Sequence, residues 1–168
     1  MNRLLRILKH RAFDETDTRR AFGPALLERL RQRVAASERR HSGEIRVCVE
    51  AGLPLSYLWR GSSARERAIT MFGKLRVWDT AHNNGVLIYL LLAEHAIEIV
   101  ADRGLNAHVS HDDWARVVAG MREAFRARRY EEGLNAAIDA VDAVLARHFP
   151  IDAATHNPNE LPDVPHVT

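Results

Sequence analysis

The spacing of apolar positions changes several times along the chain, and each change marks an element. Leu26, Leu27, Leu30, Val34 and Ser37 recur at helical intervals behind Pro24, a good first-turn residue, so a helix runs from Pro24 until His41-Ser42-Gly43 closes it. The alternating, β-branched segment from Glu44 to Glu50 predicts a strand with Ile45, Val47 and Val49 on one face and Arg46 and Cys48 on the other. Residues 53–61, with Tyr57 and Trp59, read as a loop. Ser63 with Glu66 makes a capping box, and Ala64, Ala68, Phe72 and Leu75 trace the buried stripe of a helix over 62–77. The chain turns at Thr80 to Asn84. Residues 85–92 are then apolar at every side chain, the pattern of a central strand covered on both faces. Ala93-Glu94-His95 is short enough for a hairpin turn, and Ala96 to Ala101 is the return strand. A helix capped by Ser110 buries Trp114, Val117, Val118, Met121 and Phe125, and a last helix from Tyr130 to His148 buries Leu134, Ile138, Val141 and Leu145.

The ends read differently. Residues 1–11 predict a short basic helix, with Arg3, Arg6, Lys9 and Arg11 giving charge and Leu4, Leu5, Ile7 and Leu8 an apolar side. Such a helix either attaches to an anionic membrane surface or a partner groove, or packs on its own domain. The segment from Pro150 on, with four prolines in the sixteen residues 150–165, predicts an extended tail along the surface. The chain divides into a basic arm (1–22), a domain (23–149) and a Pro-rich tail (150–168).

Strand 44–50, helix 62–77 and strand 85–92 form a βαβ unit, whose strands are parallel and joined by a right-handed crossover. The hairpin adds an antiparallel strand, and the helices must cover both faces of the doubly apolar one. The expected fold is α/β, a three-layer α/β/α sandwich with a small mixed sheet.

Composition narrows the class. The length of 168 residues suits one domain. A single cysteine, Cys48, excludes an internal disulfide framework. The N-terminal leucines are interrupted by Arg6 and no small-residue cleavage site follows, so no signal peptide is read there. The run from Gly85 to Ala93 is about half of the roughly 20 residues a spanning helix needs. A cytoplasmic protein without a transmembrane segment is expected, peripheral at the inner membrane if the arm attaches. Residues 1–40 hold eleven Arg or Lys against five Asp or Glu, whereas residues 149–168 hold three acids and no Lys or Arg.

The topology brings polar residues to one end of the sheet. Glu44, Asp79, His82, Asn83, Asn84, Asp102 and Arg103 come from three segments, and such convergence builds sites on scaffolds of this kind. Asp79, Asn83, Asp102 and Glu44 offer oxygen ligands for calcium or another divalent cation. The alternative places Asp79 at a helix end, Glu44 at a solvated strand start and Asp102 against Arg103 or a backbone amide. Arg103 and Gly104, with His82 and Asn84, are candidates to meet a ligand, phosphate included. A phosphoryl-transfer reading lacks a Gly-rich P-loop, and Cys48 lacks the phosphate loop of a cysteine phosphatase. None of the nine histidines pairs at the i, i+4 spacing of a helical zinc site. The Arg clusters fall at helix ends, without the aromatic interleaving of a nucleic-acid surface. Tyr57 and Trp59 form a candidate partner-binding lip, which could equally fold onto its own core.

Asn84-Gly85-Val86-Leu87-Ile88, the hairpin, and Ile97 to Leu105 with its Asp102-Arg103-Gly104 turn resemble the TPM domain over residues 24–149. Leu75 to Thr80 and Glu160-Leu161-Pro162-Asp163 resemble a short bacterial branch without signal or transmembrane tail. The resemblance implies an α/β/α sandwich. It implies acid phosphatase activity for some members, calcium binding for others, and accessory roles at membrane assemblies for several. The common Ile-Glu-x-Gly-x-Gly of the return strand is altered here, with Val100 in place of the Glu and Asp102 in place of the first Gly. The expected function is an accessory domain that binds an unknown protein partner and a divalent cation, requiring no other cofactor. A weak metal-assisted phosphatase and a membrane-surface adaptor working through the basic arm stand as alternatives.

Overall fold

The computed structural model describes residues 3–151 and 158–168; Met1, Asn2 and the tail residues 152–157 lie outside it. The elements in chain order are α1 (Arg3–Arg11), α2 (Glu15–Ala21), α3 (Pro24–Ser37), β1 (Ile45–Glu50), α4 (Leu55–Arg60) and α5 (Ala64–Lys74). They continue with β2 (Val86–Leu91), β3 (Ala96–Ala101), α6 (His111–Arg126), α7 (Tyr130–His148) and β4 (His166–Val167). The sheet order is β3-β2-β1-β4. β1 runs parallel to β2, with Ile45 opposite Val86, and β3 is antiparallel to β2, with Val86 opposite Ala101.

The expected three-layer arrangement is present. Ile45, Val47, Val49, Val86, Ile88, Leu90, Ile97 and Ile99 pack with Leu30 and Val34 of α3, Phe125 of α6 and the stripe of α7. Cys48, Leu87, Tyr89, Leu91 and Val100 face the other way, onto Leu58 of α4 and Ala64, Ala68 and Met71 of α5. β2 is therefore buried along its whole length, as its unbroken apolar run requires. The capping boxes of Ser63 with Glu66 and Ser110 with Asp113 start α5 and α6 where the sequence places them.

One charged network lies within the layer shared with α5. The Arg67 guanidinium grips the Glu50 carboxylate with two nitrogens, and the Tyr89 hydroxyl donates to it at 2.7 Å. Pairing of this kind is what makes a buried ion tolerable.

Three segments differ from the sequence reading. Residues 53–61 are not a loop: Pro54 N-caps α4, and Gly61 ends it in the left-handed conformation at φ 72°. Residues 14–22 are not merely an arm, because Asp14 and Asp17 cap each other reciprocally and start α2, whose C-cap Phe22 enters the core. The described tail does more than lie on the surface. It adds β4 beside β1, with His166 opposite Cys48, and buries Leu161.

Candidate functional site

The residues at the amino ends of β1 and β2 form two separate groups. Asn83, Asn84, Asp102, Arg103 and Gly104 make one. The Gly104 amide donates to the Asn83 carbonyl at 2.9 Å, Arg103 Nε donates to Asn83 Oδ1 at 3.0 Å, and the Arg103 amide donates to Asp102 Oδ1 at 2.7 Å. Both glycines here are needed for close approach. A Cβ on Gly85 would sit 2.0 Å from the Val77 carbonyl oxygen, and one on Gly104 would sit 2.5 Å from that of Asn83. The Asn-Gly and Arg-Gly pairs thus clamp the 77–84 turn against the hairpin.

Glu44 belongs to the second group. Its carboxylate accepts from the Leu161 amide at 3.1 Å and the Glu160 amide at 3.3 Å, while Glu38 accepts from the Ile45 amide at 2.8 Å. Burial pushes the Glu38 carboxyl up to about 9, with Glu44 beside it adding to the rise, and burial pushes Glu44 to about 6.

The four oxygen-bearing residues therefore do not share one shell. Asp79 is exposed and its amide closes a turn onto Arg76. His82 contributes its carbonyl to the seat of Gly104. Among the described residues, Asn84 Oδ1 and Asp102 Oδ2 are buried without a hydrogen-bond partner. Calcium takes about six to eight oxygens. Among the described residues, no three His, Cys, Asp or Glu side chains gather where they could hold a metal ion.

A different surface is built at the opposite end of β1 and β2, and its geometry follows from α1. Helical spacing puts Arg3, Arg6, Ile7 and His10 on one side of α1 and Leu4, Leu5 and Leu8 on the other. The polar side faces the protein. Arg6 Nε donates to Glu94 Oε1 at 2.7 Å, and a terminal nitrogen donates to the Ser62 carbonyl at 2.8 Å. His10 is buried, and its Nδ1 accepts from the Leu53 amide at 3.0 Å. Its Nε2 is 2.9 Å from Glu94 Oε1 and so carries the proton it donates there. The bond from His10, with Arg6 beside it, holds the Glu94 carboxyl down at about 2. Arg3 reaches the Trp59 carbonyl and ties α1 to α4.

With Arg6 and His10 turned inward, α1 presents its leucines to solvent. Leu4 is 66% exposed, Leu5 59% and Leu8 65%, and α4 adds Leu55 at 48% and Trp59 at 58%. Half-buried Lys9 and exposed Arg11 flank the leucines, and exposed Arg60 lies beside Trp59 on α4. Tyr57, the other half of the lip read from sequence, turns inward instead. Its hydroxyl donates to Thr70 Oγ1 at 2.8 Å, and its ring lies 5.0 Å from the guanidinium carbons of both Arg60 and Arg67. The sequence shows the leucines but not which way they face. The i, i+3, i+7 row of Arg3, Arg6 and His10 was the available signal, and its partner Glu94 is too distant in sequence to be seen.

No helix among the described residues is long and apolar enough to cross a membrane. The family described as the TPM domain matches residues 16–144. Among solved structures, the BA42 protein of the psychrophilic bacterium Bizionia argentinensis is similar at 26% identity and a TM-score of 0.73, covering 86% of this chain and 93% of that one. The N-terminal domain of a P. gingivalis protein shares the fold, with a TM-score of 0.61 at 21% identity over 77% of this chain and 82% of that domain. No curated protein matches the chain.

Proposed function

Because the chain belongs to the TPM domain family, we propose that it is a binding module of that family whose α1–α4 face docks on an anionic membrane surface. The observation that supports this is the inverted orientation of α1. A short helix packed for stability alone would bury its leucines. Here Leu4, Leu5, Leu8, Leu55 and Trp59 form an outward apolar face while Arg6 and His10 are committed to Glu94. Apolar side chains bordered by Lys9, Arg11 and Arg60 match a headgroup layer, where leucine enters the acyl boundary and each cation near an anionic surface adds about 1 kcal/mol. The apolar contact is small, so binding is peripheral and reversible.

Sedimentation with vesicles tests this. Wild type is expected to pellet with phosphatidylglycerol-containing vesicles and to stay in solution with phosphatidylcholine alone. Leu5→Glu/Leu8→Glu is expected to weaken binding at least about tenfold, from the lost apolar burial and the added repulsion. Equal pelleting of wild type and double variant would remove the proposal.

A further inference from the structure

The outer edge of β1 is covered by the chain's own residues 158–168, and the way that segment is held is the way a peptide ligand is held. Its backbone is recognised throughout. The Glu44 carboxylate takes the Glu160 and Leu161 amides. One Arg46 guanidinium nitrogen donates to both the Pro162 and Val164 carbonyls. Further along, the Thr168 amide donates to the Val49 carbonyl at 3.0 Å, and the Ala51 amide to the Thr168 carbonyl at 2.9 Å. Two side chains four residues apart, Leu161 and Pro165, are buried, whereas Pro162 and Val164 between them are exposed. Leu161 enters the cluster of Cys48, Leu87 and Tyr89.

The hold is also short. Among the described tail residues, only His166 and Val167 pair as strand, against six residues of β1 paired to β2. The prolines at 158, 162 and 165 have no N–H to give a ladder. A β1 edge that offers a leucine pocket together with a donor, Arg46, and an acceptor, Glu44, is the equipment for strand addition by an extended peptide.

We propose that this edge is a recognition groove for an extended partner segment carrying a leucine four residues before a proline, and that residues 158–168 occupy it in cis as an exchangeable plug. Main-chain contacts supply the hold, and the two pockets supply the choice of sequence. This groove does not depend on the α1–α4 face, and the two can fail separately.

The test uses the full chain and a fluorescent peptide copying residues 158–168. Leu161→Ala in the chain loosens the plug, so the variant is expected to bind the peptide about tenfold or more tighter than wild type, the loss of a buried leucine setting that scale. Adding Arg46→Gln to that variant is expected to abolish the gain, and a peptide with alanine at the leucine position is expected not to bind. Peptide binding that is equal in wild type and Leu161→Ala, or indifferent to Arg46→Gln, overturns the proposal. Amide hydrogen exchange of wild type gives an independent reading that no folding defect confuses. The Leu161 and Thr168 amides are expected to exchange by local opening, faster than those of Val47 and Ile88. Exchange of all four at one common rate would make the segment a fixed strand and overturn the proposal as well.

Discussion

Glu38 shows how much one side chain can depend on its surroundings. It follows α3 as its C-cap, accepts the Ile45 amide, and lies buried beside Glu44 and Asp163. Its carboxyl is raised to about 9, against roughly 4.3 in an unfolded chain. The folded protein therefore keeps a proton that the unfolded chain releases, and stability from this group is full below about pH 4 and falls as pH rises toward 9. Glu44, raised to about 6, adds a smaller fall of the same sign. Glu38→Gln keeps an acceptor for the Ile45 amide and carries no titrating proton. It is expected to be more stable than wild type at pH 8 and close to it at pH 4, as read from urea midpoints. A wild-type stability that does not drop relative to the variant over that range would contradict this. At the same scale, Gly85 and Gly104 were legible in the sequence as part of a family pattern. Their reason was not, because it is the approach of the Val77 and Asn83 carbonyls from another segment.

Element by element, what the sequence revealed depends on whether the signal was local. The capping boxes at Ser63 and Ser110 and the period of α7 are local, and those helices appear where their residues put them. β4 is two residues long and exists only because the β1 edge is there to receive it. α4 lacks a side-chain cap, so nothing in Leu55 to Arg60 announced a helix. The oxygen cluster expected from topology was divided for a similar reason, as Glu44 was taken by the tail amides. Glu94 is the one distant acid in the pose of α1 and binds both Arg6 and His10, beside the Ser62 and Trp59 carbonyls and the Leu53 amide that also meet the helix. Glu94→Gln should loosen α1 without unfolding the sheet. Hydrogen bonds to charged groups contribute about 1.5–3 kcal/mol each, so amide exchange within α1 is expected to rise by about tenfold or more while β2 is unchanged. Unaltered exchange in α1 would show that other contacts hold the helix.

For the molecule as a whole, the two ends of the sandwich are built differently. The amino ends of β1 and β2 are closed by glycine contacts and tail amides. The opposite end carries α1 and α4 with their outward leucines and Trp59. The formal charge of +2 says little about this, because the cations that matter are Lys9, Arg11 and Arg60 around one face. Attraction through them is screened over about 8 Å at physiological salt, so docking should weaken as salt is raised. Trp59 reports on the face directly. On titration with phosphatidylglycerol vesicles at low salt, wild-type tryptophan emission is predicted to shift to the blue, and Trp59→Phe, which keeps Trp78 and Trp114, is predicted to lose that shift. Unchanged wild-type emission, or an equal shift in Trp59→Phe, would contradict docking through this face.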